Sequence, residues 1–445
     1  MNRKHNRRTG RRIAGRRDPN TPTILTGVLL LLILILGSIA GAVIKIRGGP
    51  TSDAPFETTS AASDPSGPGP GETSGPEKEE TPKTEPEPST PTEEELPAAR
   101  AEKILSEMSL EEKVWQMMIV YPEAIINVYP VTDAGNTTRQ ALEDCPVGGF
   151  LYDRKNLLSR SQVAEMLTNV QAFSKIPLIL TCDEEGGRVN RLMSAVGTTW
   201  IGPMLDYKDE GPGTAFSNAE TIARDLLSCG FNTDLAPVAD VWSNPQNTVI
   251  GDRAYSDDFQ QAAQLVAAAV EGFHAGGSAC TLKHFPGHGN TSADSHYGAV
   301  YVERTLEELR TGELLPFQAG IDAGADAVMI GHLIVSDIDS EPAPFSYKIV
   351  TGLLREEMGF DGVVMTDGLQ MQAMTDRYSS AEIAVKAVKA GVDILLCPLD
   401  VKAAVRAVTD AVDSGEITEQ RLDESVRRIL TMKLKNGMFA GQPEA

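Results

Sequence analysis

From about residue 99 onward, apolar runs of strand length alternate with amphipathic stretches, and few folds accommodate such a rhythm. The runs Val114–Val120, Gly148–Tyr152, Pro177–Cys182, Thr233–Pro237, Ala279–His284, Ala327–Ile330, Gly362–Thr366 and Ile394–Cys397 are apolar on both faces. A strand apolar on both faces is buried on both, as in a parallel sheet covered by helices. Between them lie helical patterns over Ser161–Phe173, Asn218–Cys229, Phe259–Ala275, Leu306–Ala323 and Ser380–Ala390, with Thr418–Met438 as a closing helix. Eight strands over about 340 residues predict an α/β fold with a single (β/α)8 TIM-type barrel across residues 99–440. An open doubly wound sheet is the alternative.

Polar residues recur where these runs end. Asp183 and Glu184 follow Cys182, Asp240 follows Pro237, Lys283 and His284 end the fifth run, His332 follows Ile330, and Asp367 follows Thr366. A single Asp there reads as a helix N-cap. Five strand ends behaving alike point instead to the carboxyl face of a barrel, where catalytic groups collect. The densest stretch is KHFPGHGNTSADSH, Lys283 to His296, which holds three of the six His of the chain. Imidazole titrates near neutrality, with an ordinary pKa of about 6.5. Asp294 two residues before His296 is therefore a candidate orienting carboxylate for a general acid/base. A metal site built from His284, His288, Asp294 and His296 is the competing reading, but the spacing matches no HxxxH helical face; no metal and no cofactor are expected.

The 445 residues carry a net charge of −22, unevenly spread. Residues 1–47 hold ten basic residues against Asp18, about +9, which leaves about −31 for the rest. An acidic body disfavours nucleic acid as a partner. After the basic segment 1–23, the uncharged run Ile24–Ile44 is long enough to cross a hydrocarbon core of about 30 Å. Arginine-rich flanks stay cytoplasmic, so a single-pass anchor with its catalytic domain outside the cell is expected; secretion after signal cleavage near Ala40 is the alternative. Residues 48–98, rich in Pro, Glu, Ser and Thr, read as a disordered tether. The five Cys are scattered and odd in number, which fits buried free thiols. Nothing requires a second subunit, and a monomer is expected.

The motifs DEEGGRVNRL (Asp183–Leu192), GFNTDLAPVADV (Gly230–Val241), IGDRAYSDD (Ile250–Asp258), KHFPGHG with ADSH (Lys283–His296), AVMIGH (Ala327–His332) and VVMTDGLQM (Val363–Met371) occur in this order. Together they resemble the glycoside hydrolase family 3 β-N-acetylglucosaminidases, including the bacterial peptidoglycan-recycling type, over about Ser106–Met438. The resemblance implies a retaining exo-β-N-acetylhexosaminidase acting on peptidoglycan fragments or chito-oligosaccharides. It implies Asp367 as nucleophile, an Asp294–His296 acid/base dyad on a mobile loop, and Asp183, Arg191, Arg253, Lys283 and His284 as sugar contacts. Many relatives carry a second Asp where this chain has Gly368. Glu184 and Glu185 are expected to orient those contacts or cap the next helix, His288 to shape the loop, and His332 to stand behind the site. Phosphorolysis by the same site, another family 3 β-glycosidase activity, or a carbohydrate-binding protein without turnover are the competing functions. Tyr121–Cys145 reads as a long irregular loop that shapes the outer subsites.

Overall fold

A computed structural model describes residues 96–292 and 298–440. The basic segment, the Ile24–Ile44 run, nearly all of the tether, and Asp294 with His296 lie outside the described residues. No helix among the described residues is long and apolar enough to cross a membrane.

Ten strands are described: β1 Met118–Val120, β2 Gly149–Leu151, β3 Ile179–Cys182, β4 Thr233–Asp234, β5 Thr281–Phe285, β6 Val300–Tyr301, β7 Ala327–Ile330, β8 Leu333–Ile334, β9 Val363–Thr366 and β10 Leu395–Leu396. The hydrogen-bonded order is β10-β1-β2-β3-β4 in one sheet and β5-β7-β9 in another, every pair parallel. Single parallel bridges join the two sheets. Thr233 meets Ala279 and Val238 meets Lys283 on one side, and Met365 meets Ile394 on the other. The eight strands other than β6 and β8 thus form a cyclic parallel arrangement, consistent with a TIM-type barrel. β6 and β8 pair with each other outside this ring, linking the segments that follow β5 and β7.

All eight ring strands are buried along their length, as their uninterrupted apolar runs require. Helices Pro212–Ser228 and Phe259–Gly276 pack against each other on the outside. Gly272 and Gly276 permit this approach: a Cβ on Gly272 would lie 2.3 Å from the Phe216 carbonyl oxygen. Inside, Tyr152 packs edge-on against Phe150 and Phe231, and Phe285 against Phe317. Burying such a ring contributes about 1.5–3 kcal/mol. All five Cys are buried and free.

Several boundaries differ from expectation. The run from Val114 is not one strand, because Leu110–Gln116 is helical and β1 begins only at Met118. Ser109 and Glu112 close a capping box around the start of that helix, a local signal stronger than the apolar run, which suits either element. The Leu306–Ala323 pattern is two helices, Leu306–Thr311 and Leu314–Asp322, broken at Gly312. Tyr121–Cys145 is irregular only in part: it holds helices Glu123–Ile126 and Asn136–Asp144, with residues 127–135 between them in neither helix nor strand. The expected tether ends early, since helix Leu96–Ser106 starts within its last three residues.

Candidate active site

The carboxyl ends of the ring strands open into a cavity of about 350 Å3, lined by Tyr121, Asp183, Glu185, Arg191, Arg253, Lys283, His284, His288, Asp367, Gln370 and Met371, among others. The structure therefore brings together every expected sugar contact, Asp183, Arg191, Arg253, Lys283 and His284, with the expected nucleophile Asp367. The expected dyad, Asp294 and His296, falls outside the described residues.

Two carboxylates from the β3 end organise the cationic side chains. Lys283 Nζ lies 2.7 Å from Asp183 Oδ1 and 2.6 Å from Glu185 Oε1. Arg253 donates to Glu185 through a two-point fork at 2.7 and 2.8 Å, and its Nη1 reaches the Val249 carbonyl at 3.1 Å. Arg191 spans Asp183 at 3.2 Å and Asp153 at 2.9 Å. Burial works against ionisation of Glu185, but Arg253 and Lys283 outweigh it and hold the carboxyl far below the usual range. The same pairing keeps Lys283 protonated despite its burial, with Asp183 and Glu185 raising its pKa. The result is a rigid, fully charged wall with donors already aimed inward.

Glu184 serves the fold. Its carboxylate accepts the backbone N–H groups of Arg191, Leu192 and Met193, capping the short helix Leu192–Val196 and fixing where Arg191 emerges. Its pKa is raised by burial, which those three donors only partly offset.

Asp240 anchors the loop after β5. It accepts from His284 Nδ1 at 2.7 Å and from the backbone N–H groups of His284 and His288 at 3.1 and 2.6 Å. Burial opposes its charge, yet His284 and His288 lower its pKa overall. An ionised carboxylate only accepts, so Nδ1 of His284 carries the proton and Nε2 is left for the cavity. His288 bonds Thr291 Oγ1 through Nδ1 at 2.7 Å, and burial lowers its pKa. Gly289 lies so close to the β4 loop that a Cβ there would sit 1.7 Å from the Val241 carbonyl oxygen. The first turn of the loop is thereby pinned.

Asp367 follows directly on β9. Its Oδ1 accepts the Gly368 N–H at 2.6 Å, and Gly368 passes its carbonyl to His332 Nε2 at 2.9 Å. Burial pushes the carboxyl up, but His332, His284, the Gly368 N–H and Lys283 together pull it below the ordinary value. The group is thus held ionised in the cavity and oriented by its own backbone. His332 thus reaches Asp367 through the Gly368 carbonyl rather than by a direct hydrogen bond.

Gln370 and Met371 line the cavity without having been expected there, although both sit inside the VVMTDGLQM motif, and Tyr121 is the first residue of the segment expected to shape the outer subsites. Metal-compatible donors gather elsewhere among the described residues. His274, Cys280 and Asp326 lie at the opposite, amino ends of β5 and β7. Asp326 there already accepts from His274 and the Cys280 N–H, and from Asn436.

A family model described as the glycosyl hydrolase family 3 N terminal domain matches residues 109–432. A β-hexosaminidase of Xanthomonas oryzae pv. oryzae is 36% identical over 272 residues, covering 60% of this chain and 80% of that protein. β-Hexosaminidase A of Pseudoalteromonas piscicida is 33% identical over 320 residues, 65% of this chain. Among solved structures, a glycoside hydrolase family 3 β-N-acetylglucosaminidase from Paenibacillus superposes with a TM-score of 0.71 at 37% identity over 76% of this chain. The chain spans 53% of the Pseudoalteromonas protein and 64% of the Paenibacillus one.

Proposed function

The chain belongs to glycoside hydrolase family 3, and from that premise we propose that it is a retaining exo-β-N-acetylglucosaminidase working from a (β/α)8 barrel. Its substrates are terminal β-linked N-acetylglucosamine residues of peptidoglycan fragments or chito-oligosaccharides. The observation that carries the reading is Asp367, ionised and backbone-oriented in a charged cavity at the end of β9. A retaining mechanism needs such a carboxylate to attack the anomeric carbon and form a glycosyl-enzyme. The names of the relatives support the sugar.

In this mechanism Lys283, Arg191, Arg253, Asp183 and the Nε2 of His284 grip the hydroxyls of the terminal sugar. Their mutual ion pairs pre-organise them, so little order is lost on binding. His296 protonates the leaving oxygen, then deprotonates the water that frees the sugar, with Asp294 favouring its cationic form. An imidazole needs no large pKa shift for this work near neutrality. The Ile24–Ile44 run supports an activity tethered to the outer face of a membrane, which cell fractionation tests.

Turnover of a chromogenic β-N-acetylglucosaminide by the wild-type chain and by His296→Ala tests the assignment. We expect release of free N-acetylglucosamine by the wild type and a loss of at least about a hundredfold in the variant. An inactive wild type, a sugar 1-phosphate as the product in phosphate buffer, or an unimpaired variant contradicts it.

A further inference from the structure

Tyr129 is 77% exposed, unusual for a large aromatic ring. It is nevertheless held on a clamped loop. Ile126 and Val131 on either side are buried. Glu123 Oε1 accepts the Val131 N–H at 3.1 Å and Asn156 Nδ2 at 2.7 Å. Asn156 Nδ2 also reaches the Val131 carbonyl, and Gln162 Nε2 reaches that of Thr132 at 2.6 Å. Asn156 is fully buried, so the backbone two and three residues beyond Tyr129 is held by buried polar contacts.

The ring is also connected to the cavity. Lys155 Nζ sits 4.4 Å from the ring centre of Tyr121, which lines the cavity, and 5.5 Å from that of Tyr129. The two ring centres are therefore at most about 10 Å apart. Lys155 is held in turn by Glu123 at 3.5 Å. Asp153, two residues earlier, holds Arg191 at the cavity wall. Asp183, Arg191 and Tyr121 line the cavity, and Tyr129 stands beyond them, joined to Tyr121 through Lys155.

A sugar ring has an apolar C–H face that packs on an aromatic plane while its hydroxyls stay in water. A site that cleaves a terminal residue must send the rest of its substrate outward from the cavity. We propose that Tyr129 is the platform for the sugar residue on the leaving side of the cleaved bond, so that the preferred substrate is an oligosaccharide and not a simple glycoside. The inference rests on the N-acetylglucosaminidase reading above.

The test compares chitotriose, which has sugar on the leaving side, with N-acetyl-β-glucosaminyl fluoride, whose leaving group is a single atom. Loss of one aromatic stacking contact, worth about 0.5–1.5 kcal/mol, corresponds to roughly twofold to tenfold. Tyr129→Ala is expected to lose about that factor in kcat/KM for chitotriose, chiefly through KM, with the fluoride unchanged; Tyr129→Trp restores chitotriose turnover. Equal chitotriose kinetics for Tyr129→Ala and wild type overturn the proposal, as does an equal loss on both substrates, which marks a structural role. A wild type that hydrolyses the fluoride and not chitotriose refutes the platform alone. A wild type inactive on both refutes the enzymatic reading as well.

Discussion

Glu185→Gln removes the charge that holds two buried cations. In the native protein Glu185 Oε1 faces Lys283 at 2.6 Å and one arm of the Arg253 fork at 2.8 Å, while Oε2 takes the other arm at 2.7 Å. All three side chains are buried or nearly so: 3% exposed for Glu185, 2% for Lys283 and 11% for Arg253. Deleting one partner of a buried ion pair costs roughly 3–5 kcal/mol, because the other charge stays desolvated. Glutamine keeps one carbonyl acceptor, but its NH2 confronts a cation, and Lys283 still has Asp183. The lower end, about 3 kcal/mol, is therefore expected, against a total of about 5–15 kcal/mol for a typical domain. The variant should fold, with a reduced urea midpoint and unchanged slope. Arg253→Met in the same background should cost much less than it does alone, since it removes the stranded charge. In kinetics the two freed cations lose their aim, so KM rises and kcat falls together. A stability within about 0.5 kcal/mol of wild type, or additive costs in the double variant, refutes the view that Glu185 organises this wall.

Other perturbations read out separate parts of the structure. Lys433 is fully buried on helix Glu419–Lys435 against Gln116 Oε1, and burial lowers its pKa to about 7, below its ordinary 10.5. Between those values the unfolded chain binds the proton that the folded chain lacks. The penalty from Lys433 is thus fully present below pH 7 and fades as pH rises towards 10.5. Lys433→Met should stabilise the protein at pH 7 by up to a few kcal/mol and flatten that rise in urea titrations across pH; an unchanged slope counts against it. Asp240→Asn substitutes one acceptor and one donor for a carboxylate that takes three N–H groups. It should lower kcat/KM at least about tenfold and shift the pH profile, because His288 loses the charge that favours its protonated form; an unaltered profile contradicts the anchoring role. Gly289→Ala forces a Cβ into the Val241 carbonyl and should lower both activity and thermal midpoint, whereas a neutral outcome would show that the loop start is not pinned.

Much of this arrangement is legible in the amino-acid sequence. Fully apolar runs of strand length can be satisfied only by burial on both faces, and each of the eight contributes a strand to the parallel ring, the first only from Met118 onward. Polar residues at the ends of those runs then had to share one face, which is why Asp183, Lys283, His284 and Asp367 meet in one cavity although they lie far apart in sequence. Periodicity failed where two elements share the same apolar character. Val114 and Trp115 are core residues of a helix and Met118 of a strand, and only the Ser109–Glu112 box distinguishes them. Pairing partners were not legible either. That Lys283 chooses both Asp183 and Glu185, or that Asp240 holds two His backbones, depends on how β3, β4 and β5 stagger across the ring. The clamped loop carrying Tyr129 read as irregular because its order comes from Glu123, Asn156 and Gln162, long-range polar contacts that leave no periodic trace.

In the proposed mechanism a carboxylate oxygen of Asp367 is the nucleophile that forms the covalent glycosyl-enzyme. A fluorinated N-acetylglucosaminyl fluoride that forms the intermediate quickly and releases it slowly would trap that species for peptide mass mapping. One sugar adduct per chain is expected, on the peptide bearing Asp367 and absent in Asp367→Asn. An adduct on another carboxylate, or turnover that persists in Asp367→Asn, would contradict it.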